Sequence, residues 1–311
     1  MNDDPEDLFE EVLEFPNSHA ASVLAELVGL ENIHEQILKE VGIRLQPSSL
    51  EEWSRTKHGR RVALVDSMRE RGCMFIFAGD VGTGKTALAQ SIGDLIAKRT
   101  GIPITLFRLT LRVRGSGAVG EMTKLLSLAF THVRDRARKL GGGGAMPRGC
   151  VILLVDEADA LAQSRDLNHM HHEDRAGVNA LIRGVDTLSS EELPALVIMC
   201  TNRPSSLDPA VRRRAAEVFE FRRPDESQRI EVLSRALRDV GFTDTQLRKL
   251  AQATGPRGEE PGFSYSDLRQ RFLVELLLDA YPDRKVEFER ALEIANVMRS
   301  TPTFGSGGET S

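Results

Sequence analysis

The sequence predicts an α/β fold: a parallel sheet with helices on both faces, followed by a small all-helical domain. Three observations carry this. Short, wholly apolar segments alternate with segments of helical period from "MFIFAGD" to "AEVFEFRRP"; strands are apolar throughout when helices cover both faces of their sheet. A glycine-rich segment, "GDVGTGKT", falls between the first such strand and the helix that follows. Beyond "RRPDE" the strands stop and only helical patterns remain.

Taken in order, "MFIFAGD" reads as a buried strand and "VGTGKTALAQSIGDLIAKRTG" as a helix. "IPITLFRLT" is a strand, "VGEMTKLLSLAFTHVRDRARK" a long amphipathic helix, "GGGGAMPRG" a loop and "CVILLVDEA" a buried strand. A helix is expected over Ala176 to Leu188, then the strands "PALVIMCTN" and "AEVFEFRRP". Four helices follow, starting at "DESQRIEVL", "TDTQLRKL", "SYSDLRQRF" and "DRKVEFERAL", with Asp225 and Thr243 as N-caps. Leu268, Phe272, Leu273, Leu276 and Leu277 share one face of the third, the stripe a packed helix needs. The resulting organisation is an acidic, helix-prone leader over 1–27, a large α/β domain over 28–222, a helical domain over 223–299 and a disordered tail over 300–311.

Composition narrows the function. With 311 residues and a net charge of -5, the chain has no global basic field to draw it to nucleic acid. One Trp and two Tyr leave few platforms for stacking bases. The start, "MNDDPEDLFEE", is acidic where a secretory or mitochondrial signal would be basic, and no apolar run reaches the roughly 20 residues that span a bilayer. A cytoplasmic protein is expected. Cys73, Cys150 and Cys200 are scattered beside apolar strands and read as reduced core thiols rather than a metal site.

The segment Gly79, Asp80, Val81, Gly82, Thr83, Gly84, Lys85, Thr86 fits G-x-x-x-x-G-K-[ST] in the strand-to-helix setting that gives the motif its meaning. Backbone N–H groups there, and that of Ala87, can cradle phosphates at the positive end of the helix that follows. Lys85 would neutralise the terminal phosphates, and the Thr86 hydroxyl would sit on Mg²⁺. Downstream, "VILLVDEADAL" brings Asp156 to the carboxyl edge of a parallel sheet, where ligands of such folds bind. Asp156 reads as the Mg²⁺-side acid and Glu157 as the base that polarises a water. Asp159 reads as a cap or structural partner of the next segment. The letters D-E-A-D suggest an RNA helicase, but no second α/β domain follows.

With "LVIMCTN" and "SSLDPAVRRR" added, the chain resembles the AAA+ ATPases, over nearly its whole length. The resemblance implies ATP and Mg²⁺ as cofactors. It implies an adenine-contacting entry segment at Val28 and Gly29, and a polar sensor of the lytic water at Asn202. It places arginine fingers at Arg213 and Arg214, which would reach a neighbouring subunit's γ-phosphate in a ring, by resemblance a homo-hexamer. Ser266 falls where some relatives carry an arginine or alanine, with Arg269 and Arg271 close by.

"RGSGAVGEMTKLL" and "DLNHMHHEDRAGVNALIRGVD" resemble the pore loops of the pachytene-checkpoint ATPases, which remodel HORMA-domain proteins. They assign Ala118, Val119, His169, His171 and His172 to a central pore. Relatives usually carry an aromatic residue where Ala118 stands, so the resemblance implies a weaker stacking grip on a threaded peptide. The short leader is similar to the bacterial form associated with CBASS anti-phage signalling, whose partners are a HORMA protein and a nucleotidyltransferase. The implied function is an ATP-driven remodeller that keeps that signalling off. The alternative is a nucleotide switch or DNA-associated loader, for which Arg108, Arg112 and Arg114 are the only basic hint.

Overall fold

The computed structural model describes residues 8–69, 71–110, 121–141, 146–160, 172–203 and 207–303. They form two compact units. One comprises residues 1–26, 32–78 and 86–220; the other comprises 27–31, 79–85 and 221–311. This differs from the contiguous 28–222 and 223–299 division expected from sequence, because two short segments of the N-terminal half pack with the helical residues.

In the first unit the strands are β1 (Glu11–Phe15), β2 (Met74–Gly79), β3 (Ile104–Thr110), β4 (Cys150–Asp156), β5 (Ala195–Thr201) and β6 (Ala215–Phe221). They make one sheet in the order β1-β3-β4-β5-β2-β6. β3, β4, β5 and β2 pair in parallel. Every residue of β4 and β5 is buried, the consequence of apolar sequence and helical cover on both faces. The helices of this unit are α1 (Ser18–Glu26), α2 (Glu31–Leu45), α3 (Pro47–His58), α4 (Asp66–Arg69), α5 (Lys85–Thr100), α6 (Glu121–Leu140), α7 (His172–Ser190) and α8 (Pro209–Arg212).

The acidic start corrects the expectation of a separate helix-prone leader. β1 pairs antiparallel with β3, Phe15 opposite Ile104. Its side chains alternate in exposure, so "EVLEF" has the period of two that suits an edge strand. Phe15 packs where Gly93 of α5 has no side chain; a Cβ there would lie 2.4 Å from the ring. Asn17 then starts α1, its Oδ1 accepting the Ala20 N–H at 2.7 Å.

The second unit holds α9 (Glu226–Leu237), α10 (Asp244–Ala253), a π-helical turn (Asp267–Phe272), α11 (Leu273–Ala280) and α12 (Phe288–Val297). Asp225 and Thr243 cap α9 and α10, each in a reciprocal capping box with the glutamine three residues on. Leu268, Phe272 and Leu276 are buried and Leu273 packs against the same core. Leu277 does not: it is 59% exposed. Leu277 is one position, about 100° of helix, past the buried Leu276, which places it outside the packed face. Val28 is buried in this helical core beside Val232 and Leu233. Among the described residues no helix is long and apolar enough to cross a membrane, and Cys73, Cys150 and Cys200 are buried and form no disulfide.

Candidate functional site

The phosphate loop, residues 79–85, is described within the second unit. Gly82 and Gly84 have φ of 73° and 95°, backbone that favours glycine. Gly82 has a further reason to lack a side chain, since a Cβ would lie 2.6 Å from Ser264 Oγ and 2.8 Å from Ser266 Cβ. The Ser266 N–H donates to the Gly82 carbonyl at 3.1 Å, so the residue that the resemblance aligned with a second sensor meets the loop through its backbone. The Asp80 carbonyl accepts from both Thr83 Oγ1 and Lys85 Nζ, each at 2.7 Å. Lys85 is only 6% exposed, a cation lying along the loop whose N–H groups would receive phosphates. Gly29, in the segment expected to contact adenine, has φ of 74°, and a Cβ on it would meet the Gln228 side chain at 1.9 Å.

The remaining groups belong to the first unit. Asp156 ends β4 and is 3% exposed. Its Oδ1 accepts from Thr86 Oγ1 at 3.2 Å and from the Glu157 N–H at 3.0 Å. Its Oδ2 accepts from Arg108 Nη2 at 3.0 Å. Arg108 stands on β3 one strand away and also faces Glu10 and Glu11, at 3.7 and 3.8 Å. A cation of the chain itself therefore neutralises the buried acid. Glu157 holds a left-handed backbone, φ 52°, a strain that a non-glycine residue keeps only where the surrounding structure fixes it.

Asn202 follows β5, which lies beside β4 in parallel register. Its N–H and its Nδ2 donate to the two oxygens of Asp159, at 2.8 and 3.2 Å, and Thr201 Oγ1 donates to the same carboxylate at 2.7 Å. Asp156 and Asn202 thus leave the carboxyl ends of adjacent strands, the edge at which such sheets bind ligands. Thr86 and Asp156 offer the hard oxygen donors that Mg²⁺ takes. Among the described residues no group of three or more His, Cys, Asp or Glu could hold a metal by itself.

Asp208 starts α8, its carboxylate accepting the Ala210 N–H at 2.7 Å. The two arginines after α8 differ. Arg214 Nε donates to both oxygens of Asp186, at 2.8 and 3.0 Å, which ties it within its own chain. Arg213 is exposed, and its guanidinium has no ion-pair partner among the described residues. Ala118, Val119, His169 and His171 lie outside the described residues, as do Arg112 and Arg114; His172 is the first residue of α7.

Sequence reasoning missed Arg108 as a partner of Asp156 and left Asp159 without a target. The signal for Asp159 was its spacing, three residues after the acid that ends a buried strand.

Residues 75–223 match the model of the ATPase family associated with various cellular activities (AAA). Over 300 residues, 96% of each chain, the protein is 46% identical to CD-NTase-associated protein 6 of Escherichia coli strain MS 115-1. The chain belongs to the AAA ATPases, in the family of CD-NTase-associated protein 6. Its structure is similar to one determined as an E. coli MS115-1 HORMA:CdnC:Trip13 complex, with a TM-score of 0.88, 46% identity and coverage of 95% of this chain and 97% of that one. Rhizobiales Trip13 aligns with a TM-score of 0.75 at 43% identity, covering 94% and 99%. The resemblance to the bacterial pachytene-checkpoint type is thereby shown, and the family implies nucleotide binding.

Proposed function

We propose that the protein hydrolyses ATP as a cytoplasmic homo-hexameric ring, and uses the cycle to dissociate or unfold a HORMA-domain partner, alone or with its nucleotidyltransferase, through a central pore. Remodelling of that partner would down-regulate an anti-phage nucleotide signal. The observation that carries the ATPase reading is the convergence on Asp156 of Thr86 and Arg108, with Glu157 next in sequence and Asn202 held on the adjacent strand.

In this reading the loop amides and Lys85 bind the β- and γ-phosphates. Mg²⁺, held by Thr86 and Asp156, would neutralise charge on the phosphate oxygens. Glu157 accepts hydrogen-bonding from the attacking water and polarises it. Asn202 orients that water through its amide, which Asp159 fixes. Arg213 reaches the γ-phosphate of a neighbouring subunit, where an arginine finger contributes about 10³- to 10⁵-fold in turnover. The HORMA partner is supported by the complex determined for the 46%-identical relative. The DNA-loader alternative gains nothing from Arg108, which is engaged by Asp156, Glu10 and Glu11.

The test is Glu157→Gln in the full chain. ATP should still bind while steady-state hydrolysis drops by at least 100-fold, a scale expected for loss of a positioned general base. Hydrolysis at the wild-type rate would remove the assignment. A purified HORMA protein, but not duplex DNA, should stimulate the wild-type ATPase; stimulation by DNA alone would favour the loader.

A further inference from the structure

The phosphate loop carries an acid, and an acid in an anion-binding loop is electrostatically adverse. In the structure that acid is matched. Arg223, two residues beyond β6, donates to Asp80 Oδ2 from Nε at 2.7 Å and from Nη2 at 2.5 Å. The same guanidinium donates to the Gly262 carbonyl and to the Thr301 carbonyl, each at 2.7 Å. Both charges are largely withdrawn from water, with side-chain exposures of 12% and 16%. A pair this buried with charge-assisted bonds is unlike an exposed ion pair, which contributes little.

Behind Arg223 lies Asp267, fully buried, 3.9 Å from Arg223 Nη1. It accepts from the Ser264 N–H and hydroxyl, both at 3.0 Å, from the Thr301 hydroxyl at 2.6 Å and N–H at 3.2 Å, and from Arg271 at 2.6 Å. Burial alone would raise its pKa, but the bonds from Thr301, Ser264 and Arg271 outweigh that and keep the carboxyl below its ordinary value. Arg223 is thus clamped between two carboxylates and two carbonyls. The residue it grips, Asp80, is the one whose carbonyl receives Lys85.

We propose that Arg223 is a positioning residue for nucleotide binding: it neutralises Asp80 inside the phosphate loop and fixes the loop to the 262–267 segment and to Thr301. A staple that only stabilised the fold could end on any residue. This one ends on the acid of the loop, so its loss removes the guanidinium charge that faces that carboxylate, although the Val81 N–H still donates to Oδ1 at 2.9 Å, in the segment that would receive a polyphosphate. The penalty should scale with ligand charge, larger for a triphosphate than for a diphosphate, and should vanish when the acid is neutralised as well.

The inference rests on the ATP reading above, and the experiment separates the two. Dissociation constants for a non-hydrolysable ATP analogue and for ADP are measured by calorimetry on the full chain, with the thermal midpoint recorded for each variant. Arg223→Gln should weaken the analogue on the order of tenfold, within the range of site-to-site coupling, and ADP by less. Adding Asp80→Asn to Arg223→Gln should restore the analogue to within about threefold of wild type, because the opposed charge is gone. Arg223→Lys keeps the charge but not the two-pronged grip; it should fold even if Arg223→Gln does not, and weaken the analogue about threefold. Equal affinity in wild type and in folded Arg223 variants would overturn the inference, as would a loss that the second substitution fails to repair. A wild-type chain that binds neither nucleotide would instead overturn the reading of an ATP site.

Discussion

Asp159 accepts the backbone N–H of Asn202 at 2.8 Å and its side-chain amide at 3.2 Å, so one carboxylate fixes both ends of that residue. With Nδ2 donating to Asp159, Oδ1 would be the end of the amide that meets the lytic water in the ATPase reading. Asp159→Ala would leave the Asn202 N–H and the Thr201 hydroxyl without this partner, costing about 1–3 kcal/mol of stability. It should also let the amide turn, and a small misplacement of a positioning group lowers turnover by on the order of 10- to 100-fold. The expected outcome is a fall in kcat with affinity for a non-hydrolysable ATP analogue retained. Single-turnover hydrolysis measures it, and an unchanged rate in a folded variant would mean that Asn202 needs no such support.

Arg108 and a metal ion would compete for the same acid. Arg108 Nη2 lies 3.0 Å from Asp156 Oδ2, while Thr86 Oγ1 lies 3.2 Å from Oδ1. Removing a positive charge beside a buried carboxylate raises its affinity for another cation. Arg108→Met should therefore lower the Mg²⁺ concentration at half-maximal ATPase, by about threefold or more. A Mg²⁺ titration at fixed ATP reads this directly. A shift to higher Mg²⁺ would show that Arg108 helps to hold the metal site in shape rather than opposing the ion.

The buried thiol of Cys150 makes a prediction about pH. Burial pushes its pKa up from 9.0 to about 12, against smaller lowering contributions from Arg44 and the Val151 backbone. Below pH 9 the thiol is protonated in both the folded and unfolded chain, and its contribution to stability is complete. Between pH 9 and about 12 only the unfolded chain ionises, so folding stability falls as pH rises, at a rate approaching 1.4 kcal/mol per pH unit. Denaturant unfolding of wild type and Cys150→Ala from pH 8 to 10.5 isolates this slope as the difference between the two. Parallel slopes would mean that Cys150 reaches water in the folded state.

The strands read most directly from sequence are those that the core makes apolar on both faces. "MFIFAG", "CVILLVD" and "ALVIMCT" become β2, β4 and β5 with hardly any exposed residue. β1 escaped because it is a short edge strand that carries two acids, Glu11 and Glu14, among its five residues, and its pairing with β3 joins residues about a hundred positions apart. The caps Asp225 and Thr243 were legible because a capping box is local, spanning four residues. The partners of the site residues were not legible for the opposite reason. Asp80 meets Arg223 across 143 positions and Asp159 meets Asn202 across 43, and nothing in the local pattern of a charged residue says which distant segment the fold will bring to it. Leu277 shows the limit of a wide apolar stripe: it lies one helical step past the buried Leu276 and is exposed, so apolar character alone does not say where the packed face ends.

The two candidate fingers separate on their own contacts. Arg214 is held by Asp186 through both carboxylate oxygens and by the Ala210 carbonyl at 3.2 Å, whereas Arg213 is exposed on the same short segment. A finger must leave its own chain, so Arg213 is the better candidate and Arg214 the residue that orients the turn. Arg213→Ala should therefore reduce ATPase by about 10³-fold or more, with Arg214→Ala acting mainly on stability. Subunit mixing tests the trans placement. Arg213→Ala rings retain Glu157, and Glu157→Gln rings retain Arg213, so each alone should be inactive. Mixed before assembly, they should regain part of the wild-type rate, because some interfaces then pair an intact Glu157 with an intact neighbouring Arg213. Mixtures that stay as inactive as their components, with heteromeric rings verified by mass, would place the arginine and the base in the same chain's site.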